Sequence, residues 1–236
     1  MLFRRLKPRP LRDSLMGVVI LWLFSSGSVA AQDFLDLKIP EYEINNATME
    51  EALRKLNAWG IQACLEKVPR ESEKEEEIRI SVRLQDASVR EVLNTLVSVD
   101  KRYTWERYRR STSFEYTNLI NVFPVGARKD PRNLMNIKAR KVVIKFPTSP
   151  ENLISKIEYF VPELARKLHH GAVAGSIPGG PIGGKVSLHI DFEFVDMTVR
   201  EILNEIALRT AGEGWVYECV KSPEPTHSWR VLSWSR

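Results

Sequence analysis

The sequence predicts an α+β protein made of two small tandem domains with small mixed sheets. A helix-start motif recurs three times, strand-like segments bracket the helices, and 236 residues is enough chain for two small domains. The repeat is clearest between 86–97 (DASVREVLNTLV) and 196–207 (DMTVREILNEIA), where six of twelve positions are identical. A weaker copy occupies 46–56 (NATMEEALRKL).

Each copy predicts an amphipathic helix of about three turns. A Ser or Thr stands three residues before a Glu, which is the capping box that satisfies backbone N–H groups at a helix start. Apolar residues then recur at i, i+3, i+4 and i+7, so each helix has one apolar face. The capping residues are Thr48, Ser88 and Thr198, and their glutamates are Glu51, Glu91 and Glu201.

Alternating apolar and polar residues predict strands on both sides of these helices. A fourth helix is predicted over 149–168, with Pro162 interrupting it near its end. The predicted strands are 61–68, 78–85, 102–108, 118–123 (NLINVF), 142–146, 185–195, 214–220 and 228–234 (SWRVLSW).

These elements group into two units of strand-helix-strand half-repeats. The first domain is predicted over 37–126 and the second over 141–236, joined by a basic, proline-bearing linker at 127–140. The acidic run at 71–77 and the glycine-rich segment at 171–184 are predicted to be solvated connections.

Residues 1–31 have the three-part order of a secretory signal peptide. A basic stretch precedes the apolar run 15–24 (LMGVVILWLF) and then small residues, which predicts cleavage after Ala30 or Ala31. The alternative is a membrane anchor, but a bilayer span needs roughly 20 apolar residues. Cleavage predicts a mature chain in the periplasm. Because the removed segment carries +4 of the formal charge of +5, the mature chain is nearly neutral. A polyanionic partner such as nucleic acid is therefore not favoured.

The chain shows no spacing typical of catalysis, so no catalytic, cofactor-binding or metal site and no enzymatic activity is predicted. Cys64 and Cys219 are expected to be small buried side chains on strands, although a disulfide is chemically allowed. The segment 179–185 (GGPIGGK) resembles a phosphate loop, but Val186 replaces the Ser or Thr that holds magnesium. The histidines lack metal-ligand spacing and are expected at the surface: His169, His170, His189 and His227.

The first domain resembles the secretin and TonB short N-terminal domain. The residues that carry the resemblance are EYEINNATMEEALRKLNAWGIQACLEKV, then IRISVRLQDASVREVLNTL, YTWERY and NLINVF, within 37–124. The second domain is a partial, divergent copy that matches clearly over 185–234. The resemblance implies a periplasmic module that contacts proteins of an outer-membrane secretin channel or a TonB-dependent receptor.

The sequence therefore predicts a non-catalytic interaction module of the cell envelope, peripheral to the outer membrane. The expected partner is a secretin-like or TonB-linked component, docked through an exposed sheet edge or a helix face. The candidate edges are 118–123 and 228–234, the latter carrying Trp229 and Trp234. One alternative is an exported nucleic-acid-binding protein that uses the basic linker and 101–110 (KRYTWERYRR). The other is an exported hydrolase whose catalytic groups converge from distant positions.

Overall fold

The structure is a computed structural model that describes residues 33–72, 75–110, 116–144, 150–168, 191–209, 214–220 and 228–233. Helices pack on small antiparallel and mixed sheets, so the predicted α+β class is confirmed. The predicted signal peptide and the glycine-rich segment lie outside the described residues. Within the described part of the chain, no helix is long and apolar enough to cross a membrane.

The first half of the chain alternates strands and helices as the sequence predicts, after a 3-10 turn at Phe34–Asp36. Its elements are β1 (Lys38–Ala47), α1 (Met49–Asn57), β2 (Gln62–Glu66), β3 (Ile80–Ser88), α2 (Val89–Val99), β4 (Tyr103–Arg109) and β5 (Tyr116–Pro124).

The second half follows a similar order, but the helix predicted over 149–168 is broken into three short helices. Its elements are β6 (Lys138–Ile144), α3 (Pro150–Ser155), α4 (Ile157–Phe160), α5 (Pro162–Leu168), β7 (Phe192–Thr198), α6 (Val199–Arg209), β8 (Trp215–Val220) and β9 (Ser228–Ser233).

Helices α1, α2 and α6 begin in the same way. Two residues before each capping residue the backbone is left-handed, at Asn46, Asp86 and Asp196, with φ of 51°, 49° and 55°. Asn and Asp are the residues other than glycine that most readily adopt this conformation, which turns the chain from strand to helix. The predicted capping hydrogen bonds between Thr48 and Glu51, Ser88 and Glu91, and Thr198 and Glu201 are all present.

One five-stranded sheet lies at the centre, in the order β4-β5-β2-β8-β9. Strand β2 runs parallel to β5 on one side and to β8 on the other. The pairs β4–β5 and β8–β9 are antiparallel. Strands β1 and β3 form a separate antiparallel pair, and so do β6 and β7.

The central sheet separates two hydrophobic cores, because successive side chains of a strand point to opposite faces. In β2, Leu65 belongs to the first core, which includes residues of α1 and α2, whereas its neighbour Cys64 belongs to the second core, which includes residues of α6. In β8, Val216 and Trp215 divide between the cores in the same way. The sheet is therefore buried on both faces, by the first half on one and by the second half on the other.

The structure joins the halves more closely than the sequence predicts. Strand β2 of the first half pairs directly with β8 of the second, and 33–236 forms one compact unit. The segment 127–140 is not a solvated linker, because Leu134 and Met135 are buried in the second core. Its residues 133–139 (NLMNIKA) instead match 33–39 (DFLDLKI) and begin the second copy with an equivalent 3-10 turn.

Candidate functional site

Strand β9 forms one edge of the central sheet, so the edge predicted at 228–234 is confirmed for the described strand. It pairs with β8 from Ser228 opposite Val220 to Ser233 opposite Trp215. Its outer side has no strand partner within the described residues, and an edge of this kind presents backbone N–H and C=O groups for pairing.

The side chains of β9 divide between core and solvent. Val231 is 2% exposed and packs in the second core, whereas Leu232 is 40% exposed. Arg230 is exposed and forms an ion pair with Glu218 at 2.5 Å. The Trp229 side chain and Trp234, which the sequence places at this contact, lie outside the described residues.

Strand β5 is not an edge, so the prediction that 118–123 forms one is wrong. Strand β4 covers one side of β5 and β2 covers the other. The parallel pairing with β2 joins segments far apart in the sequence, and no local pattern in NLINVF reveals it. The backbone groups of β5 are therefore used inside the sheet.

Strand β4 forms the other edge, and its aromatic residues pack inward. Tyr103 and Tyr108 enter the first and second cores, respectively. The Trp105 Nε1–H donates to Asn94 Oδ1 of α2 at 3.0 Å. These rings therefore pack within the protein and stabilise the sheet.

Three arginines of 101–110 have acidic partners within the chain. An arginine held by a carboxylate attracts a phosphate group less strongly than an unpaired one does. The ion pairs are Arg102–Asp100 at 2.9 Å, Arg107–Asp33 at 2.7 Å and Arg110–Glu205 at 2.9 Å.

A buried ion pair between Arg200 and Glu66 joins the two halves. Both side chains are almost fully buried, and the guanidinium binds both carboxylate oxygens, with Nη2 donating to Oε2 at 2.9 Å. Arg200 Nη1 donates to Asn136 Oδ1 at 2.8 Å, and Asn133 Nδ2 donates to Glu66 Oε2 at 3.0 Å. Bidentate pairing and these extra hydrogen bonds offset the cost of burying two charges.

The first copy of the repeat has an equivalent arginine, which forms its ion pairs at the surface. Arg90 of α2 occupies the position of Arg200 in the same VRE triplet, yet its side chain is 45% exposed. It lies 3.6 Å from Asp33 and 3.5 Å from Asp36, the counterparts of Asn133 and Asn136. The second copy thus replaces local carboxylates with one from the other half.

Lys67 anchors a second group of charges beside the end of β2. Its Nζ lies 2.8 Å from Glu50, 2.9 Å from Glu77 and 2.6 Å from Glu218. Burial alone lowers the pKa of Lys67, but hydrogen bonds to the three carboxylates raise it above its ordinary value. Burial alone likewise raises the pKa of Glu218, but Lys67 and Arg230 bring it below its ordinary value. Both groups are charged at neutral pH.

Glu205 of α6 makes a third polar connection between the halves. It is buried, accepts from Tyr108 Oη at 3.3 Å and pairs with Arg110 of the first half. Arg209 of the same helix lies 3.4 Å away. Together with the Arg200–Glu66 pair, this contact ties α6 of the second half to the first half.

The remaining predicted features make no reactive site among the described residues. Cys64 is buried, Cys219 is partly buried, and they are not joined by a disulfide. Burial raises the pKa of the Cys64 thiol well above its ordinary value, so the thiolate is disfavoured. No cluster of metal-ligating side chains occurs in the described ranges, while GGPIGGK and the four histidines lie outside them.

Comparisons with known proteins leave the family unassigned: no family model, no curated protein and no solved structure matches the chain significantly. The resemblance to the secretin and TonB short N-terminal domain therefore stays a prediction.

Sequence reasoning missed the buried ion pair, although two signals point toward it. A basic residue in the first turn of a helix opposes the helix dipole and needs a nearby anion. The aspartates that serve this purpose at 33 and 36 are asparagines at 133 and 136. The loss of both local charges indicates that Arg200 finds its carboxylate elsewhere.

Proposed function

We propose that this protein is a non-catalytic, periplasmic interaction module, which docks on an envelope partner by adding a partner strand to the edge of β9. The observation that carries the proposal is the combination of a sheet buried on both faces with an outer strand, β9, that has a strand partner on one side only within the described residues. Adding a strand satisfies backbone groups with little rearrangement.

The three charge networks support this role because they fix the sheet before a partner arrives. A preorganised edge loses less conformational freedom on binding than a mobile one. The exposed Leu232 adds apolar area next to the backbone groups. We assign the partner to a secretin-like or TonB-linked assembly because of the resemblance carried by 37–124.

The test is site-specific photo-crosslinking of the full, exported chain in living cells. A photoreactive residue at Leu232 should capture an envelope protein that belongs to a secretin or TonB-linked assembly. The matched control is the same residue at Arg83, which is also exposed but lies on the separate β1–β3 pair.

Capture at Leu232 without capture at Arg83 supports the proposal. Equal capture at both positions, or none at Leu232, contradicts it. Capture of nucleic acid at Leu232 would favour the alternative of an exported nucleic-acid-binding protein.

A further inference from the structure

The strand pair β6–β7 presents two valines to solvent. The inward side chains of both strands pack in the second core, whereas Val143 and Val195 are 41% and 57% exposed. Val143 lies opposite Glu193, and Val195 lies opposite Lys141. These four outward side chains therefore occupy the corners of a rectangle, with the valines on one diagonal and the charged groups on the other.

The charged diagonal is an ion pair. Lys141 Nζ lies 2.8 Å from Glu193 Oε1, and both side chains are exposed. The outer face of β6–β7 thus combines two apolar groups with one positive and one negative group, and its net charge at these four positions is zero.

The equivalent strand pair of the first copy has polar groups in place of the valines. Strands β1 and β3 pair in the same register, so the valine positions are those of Glu43 and Gln85. Arg83, opposite Glu43, lies 3.9 Å from its carboxylate. Polar side chains are therefore compatible with a strand pair of this kind, which favours a role for the valines outside folding.

We infer that this face binds the same face of a second molecule of the chain, in a contact that is independent of the proposed function at β9. A two-fold axis along the valine diagonal places each valine against itself, and it places Lys141 against Glu193 of the second molecule. Neighbouring strands lie about 5 Å apart and two residues span about 7 Å, so the strands of the two molecules cross at about 70°. This angle lies near the orthogonal class of sheet packing.

Charge complementarity selects this occupant and this axis. Along the valine diagonal, each charged group meets one of opposite sign while the apolar groups meet each other. An axis along the charged diagonal would instead place Lys141 against itself. In the first copy the preferred axis would place Glu43 against itself, and like charges in contact are unfavourable. The face of β6–β7 is therefore self-complementary, whereas that of β1–β3 is not.

The size of the face sets the expected strength of the contact. Four side chains per molecule bury much less than the roughly 1,200–2,000 Å² of a stable complex. We therefore expect a weak dimer that forms when the molecules are concentrated.

The first experiment reverses charges in the full chain and measures association by sedimentation velocity over a concentration series. Lys141→Glu and Glu193→Lys each place like charges across the contact, so each variant alone should lose the dimer. An equimolar mixture should regain it, because one variant carries two negative groups on the face and the other carries two positive groups. Misfolding of either variant would not produce this recovery.

The second experiment tests the axis. Val195→Cys places a thiol on the two-fold axis, where it meets its own counterpart and should form an intermolecular disulfide on oxidation. Gln85→Cys is the matched control, because it occupies the equivalent position of β3 and should stay monomeric. The unsubstituted chain, oxidised in parallel, accounts for Cys64 and Cys219.

Recovery of the dimer in the mixture, with a disulfide through Val195→Cys and none through Gln85→Cys, supports the inference. A wild-type chain that stays monomeric at about 1 mM overturns it. Unchanged association of the single charge variants, or equal cross-linking by the two cysteine variants, also overturns it. Because Val195 and Leu232 lie on different sheets, failure of this inference leaves the test at Leu232 unaffected.

Discussion

A single residue type takes two different roles in this chain, and its surroundings decide which. Arg90 and Arg200 stand in identical VRE triplets at the starts of α2 and α6. Arg90 faces water, where a surface ion pair contributes little free energy because solvent screens it. Arg200 faces the central sheet, where an unpaired charge is costly and Glu66 becomes necessary.

The matched substitutions Arg200→Met and Arg90→Met test this difference. Arg200→Met leaves the Glu66 carboxylate buried without its cation, which should lower the free energy of unfolding by about 3–5 kcal/mol. Arg90→Met should change it by about 0–1 kcal/mol. Urea denaturation of the two full-length variants measures both changes, and similar losses would show that Arg200 does not hold the halves together.

At the scale of the element, one local device starts three helices. A left-handed Asn or Asp lies near the end of the strand, a small or apolar residue follows, and a Ser or Thr then caps the helix. Every part of the device lies within a few residues, so no distant contact is needed to form it. The chain uses the device at 46–48, 86–88 and 196–198.

The cap of α2 gives a prediction at this scale. Ser88→Ala removes the oxygen that accepts from the Glu91 N–H, so the free energy of unfolding should fall by about 1 kcal/mol. Ser88→Thr should be nearly neutral, because Thr48 and Thr198 make the same hydrogen bond elsewhere in the chain. Thermal or urea unfolding compares the variants, and equal stability of wild type and Ser88→Ala would contradict the proposed role of the cap.

Local sequence patterns predict part of the fold, whereas pairings between distant segments determine the rest. The fold class and the capped helices follow from local periodicity and capping residues. The edge positions do not: 118–123 and 228–234 are both predicted as edges because each is short and last in its unit, and only the second is one. The interior position of β5 does not, because it depends on the parallel pairing of β2 with both β5 and β8. The identity of Glu66 as the partner of Arg200 does not follow from local patterns either, because the two residues come from different halves.

At the scale of the whole molecule, the central sheet is a layer that neither half completes alone. The first half supplies β4, β5 and β2, and the second supplies β8 and β9. Separating the halves would expose the second-core face of β2 and β5, including Cys64 and Leu119. It would also remove the only strand that pairs with β8 on its inner side within the described residues.

Cleavage within 127–132 decides between two descriptions of the protein. The two domains predicted from the sequence imply that a cut within 127–140 leaves both fragments folded. The shared sheet instead leads us to expect that the second fragment unfolds, because β8 loses β2 and Arg200 loses Glu66. The first fragment keeps its own core and three strands of the central sheet, so it should retain helical circular dichroism with weaker hydrogen-exchange protection in β2. Mixing the fragments should restore protection in α6 and β8. Full protection of the isolated second fragment would contradict the shared-layer description and establish two autonomous domains.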